Sequence, residues 1–355
     1  MPELKNVPEA LRRGKALRES GEFPYIRFKD GFRGIERGTV IAQKRVIWGF
    51  PHIKRIFRLE AGLERNLKAD EIYAEEKIDG FNVRVALVGG RICAFSRGGF
   101  LDSFVTEKAR EMGLERFFRD FPERVLCAEM IGNTPYTEPT DEFDVRLLVF
   151  DIDQGDGAYI PCREKYALLK KYGINGVPLL GKFRGDDYQA LGKLALVLNK
   201  GRKEGMVLKS ADRGMSVKYV TPHSDIDDIR KESGLVFDMP AGFFHQRVLR
   251  SAFFISDFSL DQEEYARLLG RAFYEGMARS IKSAKAGGAV AEEFEISIKD
   301  PSVWDDVRKH MSREVKIEEL WRRESGGRVR IRFRKVFRKT SKTLLSYANG
   351  KGITD

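Results

Sequence analysis

The sequence predicts an α+β chain built on antiparallel sheets, and three observations carry that prediction. Short β-branched and aromatic runs, "NVRVALV", "RICAFS", "RVLCAEMIG", "VRLLVFDI", "GMVLK" and "MSVKYV", follow one another between about residues 60 and 222, each with the length and patterning of a strand. Two helical stretches separate them, "FVTEKAREMGLERFFRDF" and "CREKYALLKKYG". No strand runs into a glycine-rich phosphate turn, which argues against a dinucleotide-binding or P-loop sheet.

The flanks have a different character. Residues 1–58 open with a short charged helix and continue through "YIRFKDGFRGIERGTVIAQKRVIWGFPHIKRIF", where β-branched runs punctuated by Gly and Pro read as a small β-rich module. Residues 223–290 read as helical. Ser259 and Gln262 stand at capping-box spacing before a long amphipathic stretch that puts Tyr265, Leu268, Leu269, Ala272, Met277 and Ile281 on one face and stops at Gly287 and Gly288. The aromatic stretch "AGFFHQRVLRSAFFISDF" precedes it. Residues 291–355 form a basic C-terminal segment in which Arg328, Arg330, Arg332 and Arg334 alternate with Val329, Ile331 and Phe333, so a strand there carries guanidinium groups on one face.

Composition narrows the class. The 355 residues are 42% hydrophobic and carry a formal charge of +11, enough apolar material for real cores and a balance that favours polyanionic partners. The charged start and the lack of any run of 18 apolar residues predict a cytoplasmic protein without membrane partners. Cys93, Cys127 and Cys162 lack paired spacing and read as buried thiols. Abundant Lys, Arg and Glu with sparse Asn and Gln is the balance of heat-adapted proteins.

The chemistry starts at "EEKIDGFNVRVAL", Glu75 to Leu87. A K-x-D-G tetrapeptide alone recurs by chance in roughly one chain in ten of this length, and a lysine before a D-G turn is ordinarily a solvated charge. Downstream, in order, come "SRGG" (Ser96–Gly99), "AEMIG" with Glu129, "VFDI" with Phe150, "EGMVLK" with Glu204 and Lys209, and "SVKYV" with Lys218. This series, from Lys77 to Lys218, resembles the covalent nucleotidyltransferases, the polynucleotide ligases and messenger-RNA capping enzymes. The resemblance implies a ligase adenylation core at residues 59–222.

It also implies roles. Lys77 becomes the nucleophile toward the α-phosphate of ATP. Because a free lysine has a pKa of about 10.4, the site has to favour its neutral amine. Glu75 and Glu76 match the stretch that holds the adenine edge or the lysine, Asp79 supports ribose or metal, and Arg97 contacts phosphate or the incoming strand. Glu129 touches ribose or a metal-bound water, Phe150 stacks on adenine, and Glu204 holds Mg²⁺ or Mn²⁺. Lys209 and Lys218 neutralise the α-phosphate. Taken singly, Phe150 reads as core and Glu129 and Glu204 as satisfied strand-end carboxylates. One departure from the family pattern is Ser216, where a lysine often stands.

The flanks select among relatives. No R-x-D-K-type motif of a downstream OB-fold is present, and Asn82 gives "KIDGFN", similar to the RNA-ligase form of the motif. With the helical insert, the chain resembles the archaeal ATP-dependent RNA ligases. That resemblance implies an enzyme that adenylylates RNA 5′-phosphate ends and seals them to 3′-hydroxyls, and a homodimer joined through residues 243–281. The arginine face is a candidate RNA contact. The alternatives are a DNA ligase or RNA-end adenylylating enzyme of the same superfamily, and a non-catalytic basic RNA-binding protein.

Overall fold

The structure is a computed structural model describing residues 3–312 and 315–353; the outermost ends of the two terminal segments, 1–2 and 354–355, lie outside it. A helix α1 (Val7–Arg12) leads into β1 (Ala16–Glu19), β2 (Tyr25–Phe28), β3 (Val40–Ala42) and β4 (Arg45–Ile47), which form a four-stranded antiparallel sheet in that order. β5 (Lys54–Arg55) and α2 (Leu59–Asn66) connect it to the central region. There follow β6 (Glu71–Glu76), β7 (Phe81–Val88), β8 (Arg91–Ser96), α3 (Ser103–Arg110), α4 (Glu115–Asp120), β9 (Val125–Gly132), β10 (Val145–Asp153), α5 (Cys162–Tyr172), β11 (Leu179–Arg184), α6 (Tyr188–Lys200), β12 (Gly205–Ser210) and β13 (Ser216–Val220).

These strands make two sheets, one in the order β10-β9-β7-β8 and one in the order β11-β6-β12-β13-β5. All pairings are antiparallel except β13 with β5, which is parallel. The first sheet is covered on both faces, which explains its nearly continuous apolar strands. Val83, Val85 and Ala94 pack toward Phe104 and Phe117, while Ala86, Val88, Cys93 and Phe95 pack against Tyr25, Val40 and Ile47 of the N-terminal sheet. On that second face Arg84 is fully buried, and its guanidinium donates to the carbonyls of Trp48 (2.5 Å), Gly38 (2.8 Å) and Ser96 (2.8 Å). Burial pushes its pKa down to about 10, a cost offset by carbonyls that would otherwise lack donors. Arg84 thereby ties the N-terminal module to the sheet that carries Asn82 and Glu129.

Past Val220 the chain forms α7 (Pro222–Glu232), α8 (Phe243–Asp257) and α9 (Gln262–Lys285) around Ile226, Ile229, Ile255, Tyr265 and Ala272. It then forms β14 (Ala291–Ile298), α10 (Ser302–Met311), β15 (Lys316–Ser325), β16 (Arg328–Val336) and α11 (Arg338–Ala348), with a three-stranded antiparallel sheet in the order β14-β16-β15. Phe294, Ile296, Trp304, Ile331 and Phe333 share one core with Val83, Val85 and Phe104, so this segment packs against the central sheet. All three cysteines are buried free thiols. Among the described residues no helix is long and apolar enough to cross a membrane.

Several local readings of the sequence needed correction. The single helix expected over "FVTEKAREMGLERFFRDF" is two, α3 and α4, broken near Gly113, whose φ of 68° is left-handed. The stretch that becomes α6 was not read as a helix. The cap of α9 is Asp261, whose carboxylate accepts from the N–H groups of Glu263 (3.0 Å) and Glu264 (3.2 Å), not Ser259; a negative charge suits a helix N-terminus. Finally, the buried stripe of α9 runs through Ala272, Gly276, Ser280 and Ala284 while Ile281 faces outward. A Cβ at Gly276 would collide with Ser233, so only small residues let the helices approach this closely.

Candidate active site

The cleft between the two central sheets is built by backbone placement of short polar segments. β6 ends at Glu76, and the Lys77 N–H donates to the Gly205 carbonyl (3.0 Å), which holds the lysine beside the start of β12. Gly205 has a φ of 146°, and a Cβ there would run into the Tyr219 carbonyl. Glycine is therefore required for β12 and β13 to approach, and it brings the preceding Glu204 to Lys77. Their ammonium and carboxylate form an ion pair, with side chains 20% and 17% exposed. Opposite, Asn82 and Glu129 are register partners on β7 and β9, and Asn82 Nδ2 donates to Glu129 Oε1 (3.4 Å). Arg97, just past β8, donates its N–H to the Asn82 carbonyl (3.1 Å), and its guanidinium lies 3.1 Å from His52 Nδ1.

Phe150 sits where the β10–β9 register slips between Val149 and Asp151, and such a bulge re-aims a side chain. Its ring meets Phe50 edge-on at 5.0 Å. The cavity opens to solvent and has a volume of about 610 Å³ counting its open mouth. Lys77, Glu75, Glu76, Asn82, Arg97, Glu129, Phe150, Lys209 and Lys218 all line it. Asp79 is exposed and is not part of that lining. Glu204 reaches the cavity through its contact with Lys77.

Burial dominates the electrostatics. It pushes Glu129 up to about 7 against the pull of Lys77 and Asn82, and it raises Glu204 against Lys77. Burial, together with Arg55, Lys77 and Arg97, lowers Lys218 to about 8. The neighbouring Arg97 guanidinium, then burial, lowers His52. Among the described residues, Asn82 Oδ1, Glu129 Oε2 and Glu204 Oε2 are buried at the cleft without a hydrogen-bond partner, as is Glu75 Oε2, which instead lies 2.7 Å from the Lys209 ammonium.

Some expected residues stand differently from their sequence reading. Lys209 is buried, and its ammonium donates to the Phe150 carbonyl (2.7 Å) and to Asp151 (3.0 Å) and lies 2.7 Å from Glu75 Oε2. It is committed to protein acceptors. Ser216 Oγ accepts from Arg213 (3.3 Å), and Arg213 grips Asp151 through two 2.7 Å hydrogen bonds. The arginine face of β16 does lie on one side of its strand, yet its charge is compensated. Arg328 pairs with Glu111 (2.9 Å), Arg330 with Glu295, Arg332 with Glu293 (2.9 Å) and Arg334 with Glu318 (2.6 Å). The sequence reading missed Phe50, Pro51 and Ile53, which the N-terminal module contributes to the wall, and Val177 and Val207. The "WGFPH" turn was a signal of a bend, with nothing to say what it faced.

Comparisons with known proteins identify the family. The family model described as RNA ligase matches residues 70–220, and the model of the Pab1020 ligase C-terminal region matches residues 233–351. An uncharacterized protein of Methanocaldococcus jannaschii is 30% identical, the alignment covering 98% of this chain and 93% of that one. The chain belongs to the RNA ligase family. Its fold is similar to that of an Aquifex aeolicus protein described as a candidate ATP-dependent DNA ligase, with a TM-score of 0.93 and 30% identity over 100% of both chains. It is also similar to an archaeal ATP-dependent RNA ligase, with a TM-score of 0.89 and 29% identity over 98% of this chain and 96% of that one. The α+β architecture expected of a ligase is thereby shown for this enzyme.

Proposed function

We propose that this ligase uses ATP to join RNA ends through an AMP carried on Lys77. The observation that carries the reading is the Lys77–Glu204 pair on the wall of a cleft that has an aromatic face at Phe150 and cationic groups at Arg97 and Lys218. An ammonium group cannot attack phosphorus, so a proton must leave first. Glu204 is placed to accept it. The Lys77 amine then forms a bond to the α-phosphorus of ATP as the bond to the departing pyrophosphate breaks.

The next two steps reuse the same phosphorus and then the RNA phosphate. An oxygen of an RNA 5′-phosphate attacks the AMP phosphorus, the P–N bond breaks and Lys77 regains a proton. A 3′-hydroxyl then attacks the 5′-phosphate, its proton passes to water, a phosphodiester forms and AMP leaves. Arg97 and Lys218 offset charge on the transferring phosphate, the dominant requirement in this chemistry. Phe150 offers its ring to the adenine, and Glu76 borders the same cavity.

A divalent cation, Mg²⁺ or Mn²⁺, fits the unpartnered oxygens of Asn82, Glu129 and Glu204, because such hard ions take oxygen ligands. Among the described residues no group of three or more His, Cys, Asp or Glu side chains gathers as a metal cluster. The protein would therefore supply few ligands and leave room for phosphate and water. Bound there, the cation would withdraw charge from the phosphates.

Incubation with α-labelled ATP, followed by a denaturing gel, tests this reading. Label retained on the wild-type chain and absent from Lys77→Ala is the expected result; an unlabelled wild-type protein freed of bound nucleotide would overturn it. The likeness to the Aquifex protein favours a second reading in which the ends are DNA. Comparing nicked DNA with 5′-phosphorylated single-stranded RNA separates the two.

A cytoplasmic location belongs to the same proposal, supported by RNA and ATP as the substrates. A homodimer through residues 243–281 is supported by Val248, Leu249 and Phe253, exposed by 44%, 49% and 37% on α8, with Phe57 stacked on Phe253 at 5.6 Å. Leu249→Glu is expected to halve the mass measured by light scattering, and an unchanged mass would remove this face from the interface.

A further inference from the structure

Lys165 was assigned nothing by its sequence context, yet it is 1% exposed and sits in the first turns of α5. A lysine is almost never buried to this degree unless its charge is paired. Here its ammonium pairs with Glu75 Oε1 and donates to the Phe150 carbonyl at 2.8 Å. Burial, then the nearby Lys209, lowers its pKa. Tyr166, the next residue, donates its hydroxyl to the same Glu75 oxygen at 3.0 Å. From the other side Lys209 reaches the same carbonyl at 2.7 Å and the other Glu75 oxygen at 2.7 Å.

We propose that Lys165 is a positioning residue for base selection, locking the Glu75 carboxylate and the Phe150 backbone together so that adenine is accepted and guanine refused. The inference rests on the reading of the cleft as an adenine-nucleotide site. Two ammonium donors occupy both lone pairs of the Phe150 carbonyl, which fixes the peptide at the bulge that aims the Phe150 ring. They also hold Glu75, a lining residue of the cavity, as a group that only accepts hydrogen bonds. Adenine carries an amino donor at C6 where guanine carries a carbonyl. A carboxylate held in place pairs with the first and faces the second acceptor to acceptor, and a site built for one hydrogen-bonding partner discriminates strongly against its absence.

Lys209 also supports Asp151 and its removal would disturb a wider network. The Lys165 ammonium meets Glu75 and the Phe150 carbonyl and lies 4.3 Å from the centre of the Tyr166 ring, so its replacement disturbs a narrower set of groups than that of Lys209. A role confined to packing would change stability and leave base preference alone. The split between the two is therefore measurable.

The test is calorimetric binding of AMP and GMP to the full chain, with covalent labelling by ATP and GTP measured alongside, for the wild type, Lys165→Met and Tyr166→Phe. The expected result for Lys165→Met is a preference for AMP over GMP reduced about tenfold or more, with the KM for ATP raised and the labelling rate at saturating ATP within about threefold of wild type. Tyr166→Phe, which removes one donor from the same oxygen and keeps both ion pairs, is expected to lose a smaller part of the preference. It decides the matter if Lys165→Met does not fold. An unchanged AMP preference in the folded variants, or no preference in the wild type, would overturn the proposal. A wild type that prefers AMP but takes no label from ATP would instead overturn the ligase reading and leave the role of Lys165 standing.

Discussion

Behind the cleft, Glu75, Asp151, Lys165, Lys209 and Arg213 pair with one another at side-chain exposures of 1–5%, whereas on the outer face of the C-terminal sheet Arg330, Arg332 and Arg334 pair with glutamates while 57%, 42% and 39% exposed. The same functional groups meet at similar distances in both places, and their consequences differ because of water. In the interior each charge has lost its hydration, so every member depends on the others and the geometry is fixed. On the sheet, solvent screens each pair and either partner can leave at little cost. The buried set positions a site; the exposed set offsets the charge of a basic strand.

Removing a member of the interior set is the strongest way to break that contrast. Asp151→Ala leaves Lys209 and Arg213 buried without their shared partner. Opposed by burial, Lys209 and Arg213 hold the Asp151 carboxyl far below the usual carboxylate range. A loss of about 3–5 kcal/mol is expected, read as a fall in the thermal midpoint. A drop no larger than that of a surface variant would show that the network is dispensable.

Glu232 gives an intermediate case. It ends α7, and burial, then Glu292 and Asp228, push it up to about 7. A carboxyl whose pKa rises on folding favours the folded state only while protonated. Its contribution is complete below the unfolded value of about 4.5 and is lost as pH rises through about 7. Glu232→Gln is therefore expected to be more stable than wild type at pH 8, by about 1–2 kcal/mol once solvent screening is allowed for. The gap should close toward pH 5. Melting curves at the two pH values check this, and a gap independent of pH would contradict it.

The smallest effect belongs to the exposed arginines. Arg330→Ala with Arg332→Ala is expected to cost less than about 1 kcal/mol. RNA affinity over a salt series should keep its slope, since these guanidinium groups are already paired. A slope reduced by about one for each arginine removed would show that they exchange their glutamates for phosphates.

How much of this could be read from the chain follows the range of the interactions. The central strands were legible in "NVRVALV" and "VRLLVFDI" because their apolar residues follow one another locally, and the order of Lys77, Arg97, Glu129, Phe150, Glu204 and Lys218 marked the cleft. The break at Gly113 and the cap at Asp261 were misread because alternative local geometries have nearly the same energy, and packing chooses between them. The compensated charge of Arg328, Arg330, Arg332 and Arg334 could not be foreseen, since their glutamates come from other elements, β14, β15 and the end of α3.

The sequence by itself determined which chemistry the chain can carry, through residue types in a fixed order, and which runs become strands, through local periodicity. Only the tertiary structure decided what each charge does. It turned Lys209 from an expected phosphate ligand into a partner of Glu75 and Asp151, brought Lys165 from α5 to the same carboxylate, and set Phe50 of the N-terminal module against Phe150. A charged side chain acts through whatever lies within a few ångströms of it once water is removed, and those neighbours are separated along the chain by 90 residues between Glu75 and Lys165.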